Sequence, residues 1–485
     1  MADECYIGVD LGTTGVKAGV VSTEGTVLKT STREVTLDTP GPGKVEFDGE
    51  AYVEFAFETV REVLEQAKVS PASVRGIGIS SQAQTFVLLG ENDRPLRPAI
   101  SWLDVRADKE AGELSTQLRD FCGGKANAIA SGPKLLWLAR HEPTVMKRVR
   151  RVLLTPDHLI YLLTGNAVTD PVTARSTALY DRDAGRWIDA LLATCGLKKS
   201  MMPEVRLPGE SAGTLLPEAA DRLGLTERTL VAVGTNDQSV GALGAGNVTP
   251  GCVSITLGTA LAIIVTSERA EAVPEGIGVG VHPAGGLHTL LAFAKTSGIV
   301  LRWFRDGFAP GVSYEELFEE VASVPIGCEG VSCLPHFSGT ATPSFNPSAR
   351  GAFAGITLSH TRAHLARAIV ESLTFTIREN LELLSPVAGG FSVVRVWGGG
   401  AKSDVWLQMI ADATGMVIER VGTTEAAVLG AAELAMVAAG RFDSVAEAST
   451  ALYRPAKRFT PDASVHTLYD EAFERYRTLY DSLYG

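Results

Sequence analysis

The sequence of 485 residues has few cysteines and no long apolar run, and both absences narrow the range of functions. The six cysteines are scattered, with no C-x-x-C pair and no histidine at a metal-ligand spacing, so we expect reduced thiols. No uninterrupted apolar segment approaches the roughly 20 residues that a membrane-spanning helix requires. Asp3 and Glu4 precede any apolar stretch, which is not the pattern of a secretory signal. We therefore expect a cytoplasmic protein without a membrane partner.

The sequence also lacks an excess of positive charge, low-complexity tracts and blocks of like charge. Its formal net charge of −12 argues against nucleic acid and against an anionic membrane surface as partners. A global negative charge does not exclude ATP, because local donors and a metal ion outweigh it. The length predicts two domains of roughly 200–250 residues each. We place them at residues 1–246 and 247–485, because Asn247 and Pro250 interrupt any regular element there.

One short pattern occurs twice, half a chain apart. Val9-Asp10-Leu11-Gly12-Thr13-Thr14-Gly15 lies near the start, and Ile255-Thr256-Leu257-Gly258-Thr259-Ala260 lies downstream. In both, an apolar run, a Leu-Gly-Thr turn and a second apolar run predict a strand, a tight hairpin and another strand. Gly and Thr at the tip offer backbone N–H and hydroxyl donors without side-chain bulk, which suits a polyphosphate. One such hairpin is commonly a surface turn, but two indicate related domains that face each other across a nucleotide.

Asp10 ends the first of these strands, directly before the turn. A carboxylate beside a polyphosphate is repelled unless a divalent cation lies between them, so Asp10 is interpreted as a ligand of Mg²⁺, which needs few protein carboxylates. The alternative is an aspartate that caps the turn. Lys17 on the return strand can reach the phosphates as a point charge.

Asp237 follows the predicted strand Leu230–Val233, between Gly234 and Gly241. An aspartate within hydrogen-bond reach of a sugar hydroxyl can orient that hydroxyl and take its proton during phosphoryl transfer. An aspartate in a glycine-rich turn is also typical of an Asx turn, so this interpretation depends on Asp10 and the neighbouring polar residues. Asp10 and Asp237 are the two candidate metal ligands.

Two polar clusters lie at predicted strand ends of the first half. They comprise Gln82, Ala83, Gln84 and Thr85, and then Trp102, Asp104 and Arg106. Strand ends in open α/β sheets form the ligand crevice, where amides and carboxylates suit a polyhydroxylated molecule and an indole face suits its C–H side. The alternatives are a structural pair between Asp104 and Arg106 and a core position for Trp102. Gln238, beside Asp237, joins the candidate substrate contacts.

A run of glycines, Gly398-Gly399-Gly400-Ala401, follows the predicted strand Val393–Trp397 and opens a helix. It lets the backbone approach a planar base or a phosphate closely, although such a run is often only a turn. Strands alternate with helices in both halves, including a long amphipathic helix from about Thr361 to Leu384 and an Ala-rich helix from Thr424 to Gly440. The chain is therefore α/β.

With these motifs assembled, the chain resembles the FGGY carbohydrate kinases over nearly its whole length, and within them the xylulose kinases most. The segment 8–14 is similar to the family's first phosphate motif and 256–259 to its second. The segment 398–408, which contains Asp404, is similar to its adenosine motif, and segments 131–138 and 155–165 to its connecting segments.

The resemblance implies two actin-like, ribonuclease-H-like domains that close around MgATP and a sugar, with a nucleotide and sugar cleft between them. It implies that Asp237 is the general base. The residues that would hold metal and phosphates are Asp10, Thr13, Thr14, Gly258 and Thr259. Those that would lie at the adenosine are Gly399, Gly400, Ala401 and Asp404.

The chain departs from the xylulose kinases at one place. They usually carry Gln-Met-His-Gly where this chain has Gln82-Ala83-Gln84-Thr85. Glycerol kinases have Gln-Arg-Glu-Thr there, and they have Asp-Gln where this chain has Asp237-Gln238. A neutral Gln84 both donates and accepts hydrogen bonds, which a ketose or a polyol could satisfy.

The leading hypothesis is an ATP-dependent kinase of a pentulose, D-xylulose above all, with ATP and Mg²⁺ as cofactors. The alternatives are a polyol kinase acting on glycerol, erythritol or a pentitol, and a non-metabolic actin-like ATPase. The expected partner is a small sugar or polyol, and a homodimer is left open as the assembly. We expect domain closure to protect ATP from water.

Overall fold

The structure is a computed structural model that describes residues 4–122, 126–181 and 183–485. Its contacts divide the chain into two units. Unit 1 takes the described residues up to Gly244 together with Ala427–Leu452, and unit 2 takes Ala245–Ala426 and Tyr453–Gly485. In the part of the chain that the structure describes, no helix combines the length and the apolar character needed to cross a membrane.

The strands fall on both sides of Gly244. Those of unit 1 are β1 (Cys5–Leu11), β2 (Gly15–Ser22), β3 (Val27–Glu34), β4 (Asp38–Gly41), β5 (Lys44–Phe47), β6 (Val74–Ser81), β7 (Phe86–Leu89), β8 (Ala99–Ile100), β9 (Arg151–Leu154), β10 (Val168–Thr169), β11 (Tyr180–Asp181), β12 (Arg186–Trp187), β13 (Glu204–Val205), β14 (Ser211–Thr214), β15 (Leu230–Ala232) and β16 (Thr235–Asn236). Those of unit 2 are β17 (Cys252–Leu257), β18 (Leu261–Ser267), β19 (Gly278–Val281), β20 (His288–Ala294), β21 (Ser332–Leu334), β22 (Ala352–Ala354), β23 (Val393–Trp397), β24 (Ile418–Val421) and β25 (Pro455–Phe459).

Helices alternate with these strands in both units, as the sequence predicts. They are α1 (Gly49–Ala67), α2 (Asp108–Cys122), α3 (Ser131–His141), α4 (Pro143–Met146), α5 (Thr155–Thr164), α6 (Pro171–Arg175), α7 (Asp189–Thr194), α8 (Pro217–Leu223), α9 (Asp237–Gly244), α10 (Gly298–Phe308), α11 (Tyr314–Ser323), α12 (Arg362–Ala388), α13 (Asp404–Thr414), α14 (Ala426–Ala438), α15 (Val445–Leu452) and α16 (Ala463–Tyr484). Short 3₁₀ turns lie at Pro71–Ser73, Lys199–Met201, Cys328–Gly330 and Gly399–Lys402.

The main sheet of unit 1 has the order β14-β15-β6-β1-β2-β3, and β16 also pairs with β6. The β1–β2 pair is antiparallel, whereas β6 runs parallel to β1, β15 and β16. The strands β1 and β6 are buried along nearly their whole length, as expected for strands that carry helices on their faces. A second sheet, in the order β4-β5-β8-β7-β9, completes the part of unit 1 that surrounds the candidate site.

The main sheet of unit 2 has the order β19-β20-β18-β17-β23-β24-β25. It opens with the second predicted hairpin, because β17 and β18 pair antiparallel, and β17 then runs parallel to β23. The long helix α12 packs its buried side, which includes Ile369 and Leu373, into the core of this unit. Both predicted hairpins are confirmed, and each leads into a sheet that mixes parallel and antiparallel strands.

The Ala-rich helix α14 packs on the sheet of unit 1, whereas the domain bounds drawn from the sequence placed it with the second half. A Cβ atom at Gly8 would lie 2.0 Å from the carbonyl oxygen of Val428, and one at Gly78 would lie 1.8 Å from that of Ala431. The helix backbone therefore touches the strands directly, which only glycine permits. The small residues predict close packing, but not the partner.

Candidate active site

The hairpin between β1 and β2 presents the first predicted phosphate motif. Its turn is closed by the Gly12 N–H, which donates to the Gly15 carbonyl at 3.0 Å, and Thr13 and Thr14 lie at its tip. Asp10 is paired in register with Lys17 on β2 and with Ser80 on β6. Predicted residues Asp10, Thr13, Thr14 and Lys17 thus belong to one hairpin, as the sequence suggests.

Asp237 lies beside Asp10, although 227 positions separate them in the chain. Ser80 Oγ donates to Asp10 Oδ1 at 2.7 Å, and Ser80 is the register partner of Thr235 on β16, two residues before Asp237. Burial, followed by the negative charge of Asp10, raises the pKa of the Asp237 carboxyl to about 7. The two carboxylates therefore interact within unit 1.

The local structure around Asp237 differs from the glycine-rich turn expected from the sequence. Asp237 is the first residue of helix α9, and its Oδ1 accepts from the Gln238 N–H at 2.7 Å. Asn236 Oδ1 accepts from the N–H groups of Gln238 and Ser239 at 3.1 and 3.3 Å, so Asn236 caps the helix. A side chain fixed by a helix start is better oriented than one on a loop.

Asp170 is a residue of this region that the sequence analysis missed. It is almost fully buried, accepts from the Val172 N–H at 2.9 Å as the cap of α6, and accepts from Thr235 Oγ1 at 2.7 Å. It therefore anchors the short strand that leads to Asp237. The Asp-Pro sequence before α6 is the signal that could have indicated a helix cap.

The donor set beside the phosphate hairpin fits a divalent cation. Asp10 and Asp237 repel each other, and a cation between two carboxylates removes that repulsion. Within the described residues, no three His, Cys, Asp or Glu side chains are grouped so as to hold a metal ion by themselves. The two carboxylates suit Mg²⁺, which is bound through one or two carboxylates together with water and phosphate oxygens.

Trp102 is held beside the phosphate hairpin by two hydrogen bonds. Its indole Nε1 donates to Thr13 Oγ1 at 2.8 Å, and its backbone N–H donates to Thr85 Oγ1 at 3.0 Å. Thr85 Oγ1 in turn donates to Gln82 Oε1 at 3.1 Å, and Gln82 Nε2 donates to the Tyr52 hydroxyl at 3.0 Å. The strand end after β6, the Trp102 loop and the hairpin are therefore one hydrogen-bonded assembly.

Asp104 and Arg106 form the structural pair that the sequence left as an alternative. Asp104 is fully buried, and its Oδ2 accepts from the Val45 N–H and from Arg106 Nη2, both at 2.7 Å. Arg106 Nη2 also lies 2.5 Å from Glu46 Oε1. Both side chains thus have protein partners, which hold the loop that carries Trp102.

In segment 82–85, where the sequence differs from the xylulose kinases, the backbone is strained at Gln84, which has a φ of 61°. A non-glycine residue in the left-handed region is uncommon and is often found at functional sites. Ser131 Oγ donates to the Gln84 carbonyl at 2.9 Å and helps to hold this conformation. Gln84 is partly exposed, its neighbour Ala83 is buried, and Gln238 Oε1 is buried without a hydrogen-bond partner among the described residues.

Unit 2 contains a cavity of about 930 Å³ beside its hairpin. Its lining includes the predicted nucleotide residues Gly258, Thr259, Gly399, Gly400 and Asp404. Ala401 is buried behind them and does not line the cavity. Larger side chains that the sequence analysis did not single out also line it, including Leu301, Arg302, Tyr314, Glu315, Phe318, Glu319 and Lys402.

Two glycines of the run are required by close approaches at this cavity. Gly398 has a φ of 94°, and a Cβ there would lie 2.8 Å from the Leu257 carbonyl oxygen. A Cβ at Gly400 would lie 2.6 Å from the Trp406 ring. Asp404 opens α13 and forms ion pairs with Arg420 and Lys457, so its carboxylate already has cationic partners.

Two family models match the chain. The model of the N-terminal domain of the FGGY family of carbohydrate kinases matches residues 5–244, and that of the C-terminal domain matches residues 253–439. The chain belongs to the FGGY family of carbohydrate kinases. It is therefore a sugar kinase with ATP as the expected phosphoryl donor, and the hypothesis of a non-metabolic ATPase is set aside.

Known FGGY kinases match the whole chain. The xylulose kinase of Escherichia coli (strain K12) is 32% identical, and the match covers 99% of this chain and 99% of that protein. The xylulose kinase of Bacillus subtilis (strain 168) is 31% identical, and the match covers 98% of this chain and 96% of that protein. The xylulose kinase structure from Rhodospirillum rubrum is 30% identical, covers 99% of both chains and has a TM-score of 0.88. An autoinducer-2 kinase of Klebsiella pneumoniae is 29% identical, with 99% of this chain and 94% of that protein covered. The two-domain α/β fold predicted from the sequence is confirmed.

Proposed function

We propose that this FGGY kinase transfers the γ-phosphoryl group of MgATP to a hydroxyl of a pentulose, with D-xylulose as the acceptor and xylulose 5-phosphate as the product. The observation that carries this proposal is the pair Asp10 and Asp237 at one place in unit 1, beside the hydrogen-bonded Trp102 loop. The full-length similarity to xylulose kinases supports the choice of acceptor.

In the proposed reaction, Asp237 acts on the acceptor hydroxyl. Its carboxylate accepts the hydroxyl proton while the hydroxyl oxygen forms a bond to the γ-phosphorus, and the bond between that phosphorus and the β–γ bridging oxygen breaks to release ADP. The capping of α9 by Asn236 leaves the carboxylate fixed in orientation. Burial, the larger cause of its raised pKa, makes the Asp237 carboxylate a stronger base than an ordinary aspartate.

Asp10 and Asp237 are the two residues that would hold Mg²⁺. When bound, the metal neutralises negative charge on the phosphate oxygens. Ser80 orients the Asp10 carboxylate through its 2.7 Å hydrogen bond, and the Thr13 and Thr14 turn offers donors without bulky side chains.

The unit 2 cavity is the proposed site of the nucleotide. Its volume of about 930 Å³ suits a ligand of that size. The wall also carries Glu315, Glu319 and Asp404, and its two cations, Arg302 and Lys402, are the side chains proposed to contact the phosphates. Tyr314 and Phe318 supply aromatic surface for a base. The Gly258-Thr259 turn supplies backbone N–H groups for the phosphates.

We predict that Gly400→Ala weakens nucleotide binding. The new Cβ would meet the Trp406 ring at 2.6 Å, and that ring is buried and cannot move away, so the glycine turn must shift into the cavity. We expect the KM for ATP to rise by about 10-fold or more, since small misplacements at an active site cost up to about 10²-fold. Gly307→Ala on α10 is the control, because a Cβ there has open space. A Gly400→Ala enzyme with an unchanged KM for ATP would contradict the assignment of the cavity.

The acceptor itself is tested by comparing kcat/KM in a coupled ADP-release assay. The kcat/KM for D-xylulose should exceed that for other pentuloses, hexuloses, autoinducer-2, glycerol, erythritol and pentitols by about 10-fold or more, since a buried polar group left without its partner costs about 1–3 kcal/mol. A polyol kinase is the second candidate, because the neutral Gln84 amide and the unpartnered Gln238 Oε1 suit hydroxyls as well as a ketone. A preference for glycerol or a pentitol would select that candidate instead.

A further inference from the structure

A second cavity in unit 2 lies apart from the proposed nucleotide site and shares no lining residue with it. Its volume is about 240 Å³, and it is formed between the end of β20, the segment that follows β21, and helices α12 and α16. Nothing in the proposed phosphoryl transfer uses this space.

The wall of this cavity contains a buried polar atom without a partner. His336 is 8% exposed, and its Nε2 has no hydrogen bond from any residue that the structure describes. Burial lowers the pKa of His336 to about 4, so the ring is neutral near pH 7 and offers one donor and one acceptor nitrogen. A buried polar atom without a partner is unfavourable and indicates a ligand or ordered water.

The Glu379 carboxylate, on helix α12 across the cavity, has only a weak hydrogen bond among the described residues. Glu379 on α12 receives the Tyr476 hydroxyl at 3.4 Å, a long contact, and burial raises its pKa to about 7. The rings of Tyr476 and Tyr480 lie 6.3 and 5.3 Å from the His336 ring. The wall thus combines a carboxyl, an imidazole and aromatic surfaces around one space.

The charges of the wall restrict the ligand. Arg477 is the one basic side chain among the described lining residues and lies beside Glu379 and Asp481, so the wall has no excess of positive charge to attract a phosphate ester or another anion. Hydroxyl donors suit the Glu379 carboxylate, the His336 nitrogen and backbone carbonyls, and a C–H face suits the tyrosine rings.

We propose that this cavity, lined by His336, Glu379, Tyr476 and Tyr480, is a second binding site that takes a neutral, polyhydroxylated small molecule of about pentitol size. The site is separate from the acceptor site on unit 1, so a kinase of this family carries two places for hydroxylated ligands. The proposal does not depend on which acceptor is phosphorylated.

The experiment measures binding of xylitol to the full-length protein by saturation-transfer NMR, with ADP present at saturation. Xylitol binding should persist when ADP occupies the nucleotide cavity. It should also persist in Trp102→Ala, because that substitution alters only the unit 1 site. It should weaken by about 10-fold or more in Glu379→Ala, because the ligand loses its hydrogen bonds to the carboxyl group. Glu382→Ala, on the same helix but exposed and paired with Arg378, is the matched control and should bind normally.

A second variant and a crystal structure keep the test decisive if Glu379→Ala folds poorly. Ala341→Phe fills the cavity from a buried lining position and should abolish the same binding. A crystal soaked with xylitol should show the molecule against His336 and Glu379. A crystal structure with only water in the cavity would overturn the proposal. In the NMR experiment, it would be overturned if ADP displaced xylitol, if xylitol binding were lost in Trp102→Ala only, or if a pentose phosphate or ammonium bound in place of xylitol.

Discussion

Asp237→Asn is expected to lower kcat for D-xylulose phosphorylation by about 10²–10⁴-fold, the range usual for loss of a general base. The amide has the shape of the carboxylate and keeps the Oδ1 that accepts from the Gln238 N–H, so the start of α9 should be unchanged. ATP binding should be retained, because the proposed nucleotide cavity belongs to unit 2. Steady-state kinetics with a coupled ADP assay, together with the dissociation constant of a fluorescent ATP analogue, measure both effects.

The stability of this variant gives an independent check. A carboxyl whose pKa is raised on folding stabilises the folded state at low pH and loses that contribution as the pH rises from about 4 towards 7. At pH 8 the wild-type protein has lost it, and the uncharged amide also removes the repulsion from Asp10. Asp237→Asn should therefore unfold at the same temperature or higher.

Asp221→Asn, at an exposed position of α8, is the control and should change neither activity nor stability. Near-normal turnover by Asp237→Asn would remove Asp237 from the mechanism.

Asp104→Ala is expected to lower the free energy of unfolding by about 3–5 kcal/mol, the loss typical of breaking a buried ion pair from one side. The substitution leaves the Arg106 guanidinium, whose side chain is 3% exposed, with Glu46 as its remaining carboxylate partner. It also removes the acceptor of the Val45 N–H. Urea denaturation monitored by tryptophan fluorescence measures the change.

Asp108→Ala is the matched control for this prediction. Asp108 is exposed at the first turn of α2, four residues along the chain, so its loss should cost about 1 kcal/mol or less. The double variant Asp104→Ala/Arg106→Ala should be less destabilised than the sum of the single variants, because no buried charge is left unpaired. Equal stability of Asp104→Ala and Asp108→Ala would mean that Asp104 does not support the Trp102 loop.

Local sequence patterns predicted the elements of the fold well. The strand β23 has the predicted bounds, and both Gly-Thr hairpins form as expected. These features depend on neighbours in the chain, such as apolar alternation, turn glycines and helix periodicity. The same patterns placed Asp10, Thr13 and Thr14 together because one hairpin holds all three.

Contacts between distant segments could not be read from local patterns. The pairing of β16 with β6 brings Asp237 to Asp10, and no feature near either residue specifies that pairing. The role of Asp104 depends on Glu46 and Val45, which lie almost 60 residues earlier. Similarly, the packing of α14 against Gly8 and Gly78 depends on glycines far from the helix itself. The sequence therefore predicted the candidate residues, but not which of them touch a ligand and which support others.

The most direct test of the account is ³¹P NMR of a reaction that contains ATP, Mg²⁺ and D-xylulose. We predict that a phosphomonoester signal grows at the same rate as ADP, that neither appears without the sugar, and that both are lost in Asp237→Asn. Release of orthophosphate at an equal rate with or without sugar, or a phosphomonoester formed equally well by Asp237→Asn, would contradict it.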